Sequence, residues 1–129
     1  MTYGEKAAEL KATLNCGQSV VVSLADLAGL DEAKAKALGT GLGGGLRCGE
    51  ACGAYCGAVL AISMTVGADG MGKPGGPVAE ELKKLSDEFK AEFGAIRCED
   101  LLAKSGGDHS VCNGFCAWCA DKAAEIIKK

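Results

Sequence analysis

Apolar residues recur at spacings of three and four through most of the chain, the repeat of helices with one buried face. Leu10, Leu14, Gly17, Val21, Leu24 and Ala28 mark one such face, and Gly29 suits a C-terminal stop. This run predicts one amphipathic helix with Cys16 inside it. Asp31 can cap a short second helix reaching Leu38. Gly39, Gly41, Gly43, Gly44 and Gly45 then interrupt the pattern, which predicts a loop or a backbone that something approaches closely. A third helix is expected from about Gly49 to Val66. A Gly- and Pro-rich break follows from Gly67, and Pro77 suits the first position of the next helix. That helix carries Leu82, Leu85, Phe89 and Phe93 on one face and ends at Gly94. A short helix runs from Cys98 to Lys104, and Ser105 to Asp108 makes a turn. Ser110 can cap a last helix reaching Ile127, with Val111, Phe115, Trp118 and Ile126 as its apolar weight. No hairpin signature interrupts the series. The expected fold is all-α: a compact bundle of about five to six helices with Gly-rich loops, a single domain over residues 1–129.

Composition changes this picture in three ways. Aromatics are only 5% of the chain, so the core must be built from Ala, Leu, Val, Ile and Cys. Pairing into a homodimer would add the core that such a chain lacks. The net charge of −3 implies no basic surface, and nucleic acid is not an expected partner. Ala51 to Ala68 is uncharged, but it is short for a membrane span and diluted by Cys52, Gly53, Cys56, Gly57, Ser63 and Thr65. A buried helix is expected there, with no membrane association. The polar stretch Met1–Lys11 lacks the apolar core of a secretory signal. Together these features predict a cytoplasmic location. In a reducing compartment, eight cysteines point to metal or redox chemistry rather than to disulfides.

The cysteines are patterned. Cys48-Gly49-Glu50-Ala51, Cys52-Gly53-Ala54-Tyr55 and Cys56-Gly57-Ala58-Val59 share one form. On a helix, a spacing of four drifts about 40° per step and rises about 6 Å. Cys48, Cys52 and Cys56 would form one slowly winding stripe, beside a stripe of Gly45, Gly49, Gly53 and Gly57. Glycine there would let a second helix, or an inorganic cluster, approach the backbone. Cys112, Cys116 and Cys119 sit at i, i+4 and i+7, on one face of the last helix. Cys16 and Cys98 stand apart. Thiolates are soft ligands for iron–sulfur clusters, Zn²⁺ and Cu(I). A cubane cluster needs four of them, and backbone N–H groups near its sulfurs tune its potential. Gly44, Gly45 and Gly53 are the glycines expected beside such a cofactor, with Tyr55, Phe115 and Trp118 shielding it.

Other readings fit less of the pattern. A lone buried Cys is ordinarily a small apolar group, but that does not explain two cysteine-bearing faces. Zn²⁺ sites favour paired Cys knuckles or mixed His ligands, and the single His109 is expected to be a solvated helix-start residue. Tandem Cys-x₃-Cys also resembles Cu(I)-storage bundles, so a Cu(I) or Zn²⁺ storage or delivery protein is the alternative. A metal-free dithiol redox protein is the third reading. Cys116-Ala117-Trp118-Cys119 has a dithiol spacing, yet it sits inside a predicted helix with no strand before it. No nucleophile elbow, Walker A pattern or zinc-protease motif occurs. An electron carrier is expected rather than a stand-alone enzyme.

At these residues the chain resembles a family of redox-active proteins defined by a first Cys, a Gly-Cys-Ala-x-x-Gly box and two further cysteines. Related sequence forms the iron–sulfur part of split-Soret cytochromes. Asn15-Cys16-Gly17-Gln18-Ser19 resembles the first site. Gly43-Gly44-Gly45-Leu46 with Cys52-Gly53-Ala54-Tyr55-Cys56-Gly57 resembles the glycine loop and box. Phe93-Gly94-Ala95-Ile96-Arg97-Cys98 with Leu101-Leu102 resembles the third site, and Cys112 the fourth. The resemblance implies Cys16, Cys52, Cys98 and Cys112 as a core ligand set. Cys48, Cys56, Cys116 and Cys119 are surplus to it, and would hold a second cluster, enlarge the first or bridge to a partner. The expected function is one-electron transfer by one or two iron–sulfur clusters, with a redox partner protein. No Cys-x-x-Cys-His occurs, so covalent haem is not expected.

Overall fold

The computed structural model describes residues 1–66 and 77–128, and within them the protein is all-α. Eight α-helices occur among the described residues: α1 (Tyr3–Leu10), α2 (Cys16–Ser23), α3 (Ala25–Ala28), α4 (Glu32–Gly39), α5 (Gly53–Val66), α6 (Pro77–Phe93), α7 (Cys98–Lys104) and α8 (Cys112–Ile127). The count exceeds the expected five to six because the first amphipathic run is not one helix. Asn15 stops it. Its side chain accepts from Gln18 N–H at 2.8 Å, while the Gln18 side chain accepts from Asn15 N–H at 3.1 Å. This reciprocal cap starts α2 at Cys16 and leaves α1, capped in the same way by Thr2 and Glu5, as a separate element. The chain leaves helical geometry again at Leu24, and Gly29 ends α3 in the left-handed region.

Two further boundaries differ from expectation. The third predicted helix begins at Gly53, not Gly49. Gly44, Gly45, Leu46 and Arg47 form one left-handed turn, with φ of 63°, 66°, 59° and 63°. For Leu46 and Arg47 that conformation costs about 1–2 kcal/mol each. The Arg47 guanidinium holds it by donating twice to the Thr40 carbonyl, at 2.7 and 3.1 Å. The cap ahead of α8 is Asp108, which accepts from Ser110 N–H at 2.9 Å, rather than Ser110 itself. The break expected at Gly67 to Pro77 lies outside the described residues except for Pro77, which opens α6 as expected.

α1, α2, α5 and α8 form the centre: α2 packs on α1, α5 and α8, and α8 also packs on α1 and α5. α4 lies against α2, and α6 against α5. Small residues permit the closest crossing. A Cβ on Gly57 would stand 3.0 Å from the Gly17 carbonyl and 3.1 Å from the Val20 Cβ. The few aromatics gather in one place. Phe89 is fully buried, with Tyr55, Phe93, Phe115 and Trp118 rings 4.9–6.3 Å away. That cluster fastens α6 over α5 and α8. No described helix is long and apolar enough to cross a membrane.

Phe89→Ala should therefore cost about 3–5 kcal/mol, the range for an aromatic removed from a closed core. Urea denaturation of the two proteins measures it. A loss below about 1 kcal/mol would mean the ring cluster does not anchor α6.

Candidate metal centre

Cys16, Cys98 and Cys112 are each the first residue of a helix (α2, α7 and α8), and Cys52 is the residue just before α5. The chain thus delivers four thiols on four helix starts to one place. Together with Gly44, Gly53, Leu101, Leu102 and Phe115, they line one small pocket, whose free space as it stands is about that of a single water molecule. Unpaired amides at a helix start favour negative charge. At α5 this is direct: the amides of Ala54 and Tyr55 donate to the Cys52 sulfur.

Glycine is required where the elements meet. A Cβ on Gly53 would strike the Leu42 carbonyl and lie 3.3 Å from the Cys16 Cβ. A Cβ on Gly45 would come within 2.5 Å of the Cys98 Cβ and of the Glu50 carbonyl, and Gly45 is left-handed as well. Gly44 has open space where its Cβ would be. Its φ of 63° and its place on the pocket wall account for it. These are the three glycines expected beside a cofactor. Gly44 and Gly53 line the pocket, and Gly45 sits behind Cys98.

The thiols are held neutral. Cys16 is hydrogen-bonded to Cys112, which pulls its pKa down, but its bond to Cys116 and burial together push it up to about 12. Cys112 is raised by the bond to Cys16 and by burial. Burial outweighs the two amide bonds at Cys52 and lifts it to about 12. Cys98 is raised by burial and by the neighbouring Cys112. Soft donors in an apolar, largely dry setting fit a metal cluster, whose own positive charge would displace the protons. Among the described residues, no three His, Cys, Asp or Glu side chains are drawn together tightly enough for a single metal ion.

The surplus cysteines divide. Cys116 and Cys119 are fully buried in the hydrophobic core, beneath the pocket. The Cys116 S–H points to the Cys16 carbonyl at 3.8 Å. Cys119 is raised by burial first and by Cys52, Cys16 and Cys56 around it. Cys56 is half-buried, its S–H 3.7 Å from the Ala51 carbonyl. Cys48 is exposed in the loop, its S–H 3.6 Å from the Gly45 carbonyl. The expected stripe of Cys48, Cys52 and Cys56 on one helix does not form, because the left-handed turn keeps Cys48 off α5 and Cys52 precedes its first turn. The expected face of Cys112, Cys116 and Cys119 does form on α8, but only Cys112 lines the pocket. Of the three aromatics expected as shields, Phe115 lines the pocket; Tyr55 and Trp118 stand one ring further away, around Phe89. His109 is exposed, as expected.

Sequence reasoning missed how the cysteine-bearing helices begin. Asn15 and Gln18, three residues apart, carry a readable capping box and place Cys16 at a helix start. It also missed what holds Cys98. Cys98 N–H donates to the Glu50 carbonyl at 2.6 Å, Cys52 N–H to the Ile96 carbonyl at 2.8 Å, and Arg97 pairs with Glu50 at 3.1 Å. No sequence signal marks that pairing.

The family described as "Putative redox-active protein (C_GCAxxG_C_C)" matches residues 14–128. No curated protein and no solved structure matches.

The raised thiols fix the sign of a pH effect. Below about pH 9 these cysteines are protonated both folded and unfolded, and their contribution is intact. Above pH 9 the unfolded chain releases protons that Cys16 and Cys52 retain up to about 12. Stability of the metal-free protein should therefore fall as pH rises from 9, by about 1.4 kcal/mol per pH unit for each such thiol. Denaturation midpoints between pH 8 and pH 10.5 check this. Cys52→Ala should remove about one proton from the slope.

Proposed function

Because the chain belongs to the C_GCAxxG_C_C family of redox-active proteins, we propose that its pocket holds an iron–sulfur cluster on Cys16, Cys52, Cys98 and Cys112 and serves one-electron transfer. The observation that carries this reading is the meeting of four helix-start thiols in a single pocket. When bound, the cluster supplies one-electron storage at a buried position. The protein's own groups supply the rest. The thiols give four soft donors once their protons leave. The amides of Ala54 and Tyr55 donate to the Cys52 sulfur, which eases negative charge there. Leu101, Leu102 and Phe115 keep water from the donors.

Two further features support a cluster over the alternatives. Reactive dithiols work through a thiol of lowered pKa, whereas Cys16, Cys52, Cys98 and Cys112 are all raised. A single Zn²⁺ takes four donors within about 2.0–2.3 Å of one point. A polynuclear cluster accepts donors spread around a pocket wall. Cys48, Cys56, Cys116 and Cys119 lie outside that wall, which favours one cluster over two.

Strictly anaerobic purification followed by assay of iron, acid-labile sulfide, copper and zinc tests the proposal. Iron and sulfide in comparable amounts, with visible absorption, are expected. Cys52→Ser should lose most of both, whereas Cys48→Ser should keep them. Protein lacking iron and sulfide even after reconstitution would sink the reading. Stoichiometric copper or zinc in its place would favour a storage or delivery role.

A further inference from the structure

The four pocket cysteines are not held alike. Cys16, Cys52 and Cys112 are buried: Cys16 and Cys112 open α2 and α8, and Cys52 directly precedes α5, in the packed centre of the bundle. Cys98 is half-exposed and rides on α7, which buries one residue, Leu101. Yet α7 closes the pocket, contributing Cys98, Leu101 and Leu102 to its wall.

The ends of the segment are built to turn. The chain enters it through Gly94, with φ of 86°, and leaves it through Gly106 and Gly107, with φ of 69° and 87°. A Cβ on either of the last two would meet nothing within 4 Å, so backbone conformation alone accounts for them. The main polar fastenings lie near the N-terminal end. Two backbone hydrogen bonds join the 50–52 segment to 96–98, at 2.6 and 2.8 Å, around the isolated antiparallel bridge of Ala51 and Arg97. Arg97 adds exposed ion pairs to Glu50 at 3.1 Å, Glu99 at 3.2 Å and Asp100 at 3.6 Å. Exposed pairs are weak and screened by salt. An element with one buried residue, held by exposed ion pairs and two backbone hydrogen bonds, is of the kind that opens below the free energy of global unfolding.

We propose that α7 is a glycine-hinged lid over the cysteine pocket, that Cys98 is the exchangeable member of the ligand set, and that Arg97 is the positioning residue that keeps it in place. With α7 swung out, Cys16, Cys52 and Cys112 stay fixed on the bundle. The fourth position then faces solvent and has room for a small external thiol. The lid itself follows from the fold, while the exchange of Cys98 rests on the cluster reading above.

Two measurements separate these claims. In metal-free protein, alkylation by iodoacetamide is followed at each cysteine by mass spectrometry. Arg97→Gln should speed alkylation of Cys52 and Cys112 several-fold, Arg97→Lys should restore most of the protection, and Cys116 and Cys119 should stay slow in both. Unchanged rates at Cys52 and Cys112 would overturn the lid, as would a parallel rise at Cys116 and Cys119, which reports loosening of the whole fold. In reconstituted protein, Cys98→Ala should regain the wild-type visible spectrum when 2-mercaptoethanol is added, and Cys52→Ala should not. Equal rescue of both variants, or of neither, would overturn the exchangeable role of Cys98. If wild-type protein takes up no iron, the cluster reading fails, and the alkylation rates still decide the lid.

Discussion

The structure depends on bringing four helix beginnings to one point. A thiol at a helix start can sit beside amides that have no partner within the helix, as Cys52 does beside those of Ala54 and Tyr55, and such amides favour charge that develops on sulfur. To place four of them together, the chain must stop and restart its helices at chosen residues. Asn15 and Gln18 do this for α2, and the left-handed turn from Gly44 to Arg47 does it ahead of α5. The short α7 is made by Gly94 on one side and Gly106–Gly107 on the other. The fragmentation of the bundle into short helices follows from the pocket.

The same constraint explains where the sequence was legible. Helical periodicity marks a buried face, and the face of Phe89 and Leu85 on α6 and the cysteine face of α8 appear where it puts them. Periodicity is blind to a break that preserves phase. Leu10, Leu14, Gly17, Val21 and Leu24 keep their spacing across Asn15, so three helices read as one. The Cys48, Cys52 and Cys56 stripe failed for a different reason. A spacing of four has meaning only on a continuous helix, and Leu46 and Arg47 adopt a conformation that non-glycine residues seldom take. The pairing of Glu50 and Arg97 joins residues far apart in the chain, through backbone bonds that carry no side-chain signature. What the family resemblance implied as a core set is the set that lines the pocket, although spacing alone did not single it out.

The surplus cysteines then take separate places. Cys116 and Cys119 form the floor beneath Cys16 and Cys52, where a small, polarizable and weakly polar side chain packs like an apolar one. Cys116 satisfies its S–H on the Cys16 carbonyl, so burying it leaves no polar atom stranded.

Charge accounts for the last asymmetry. Four thiolates in a closed, apolar pocket would repel one another at a cost that helix-start amides offset only in part. The protein's answer without metal is to keep them as thiols, and burial pushes their pKa values accordingly. If the pocket takes the proposed cluster, loading it would exchange protons for metal charge, and would need a way in and a way out for both. Two of the thiols open α2 and α8 in the packed centre, and Cys52 is buried directly ahead of α5. The fourth sits on an element held by solvent-exposed ion pairs and two backbone hydrogen bonds. An element that buries Leu101 alone is thus the one that covers the buried thiols, and on the proposed reading a firmly held set of donors is reconciled with an accessible one by loosening a single member.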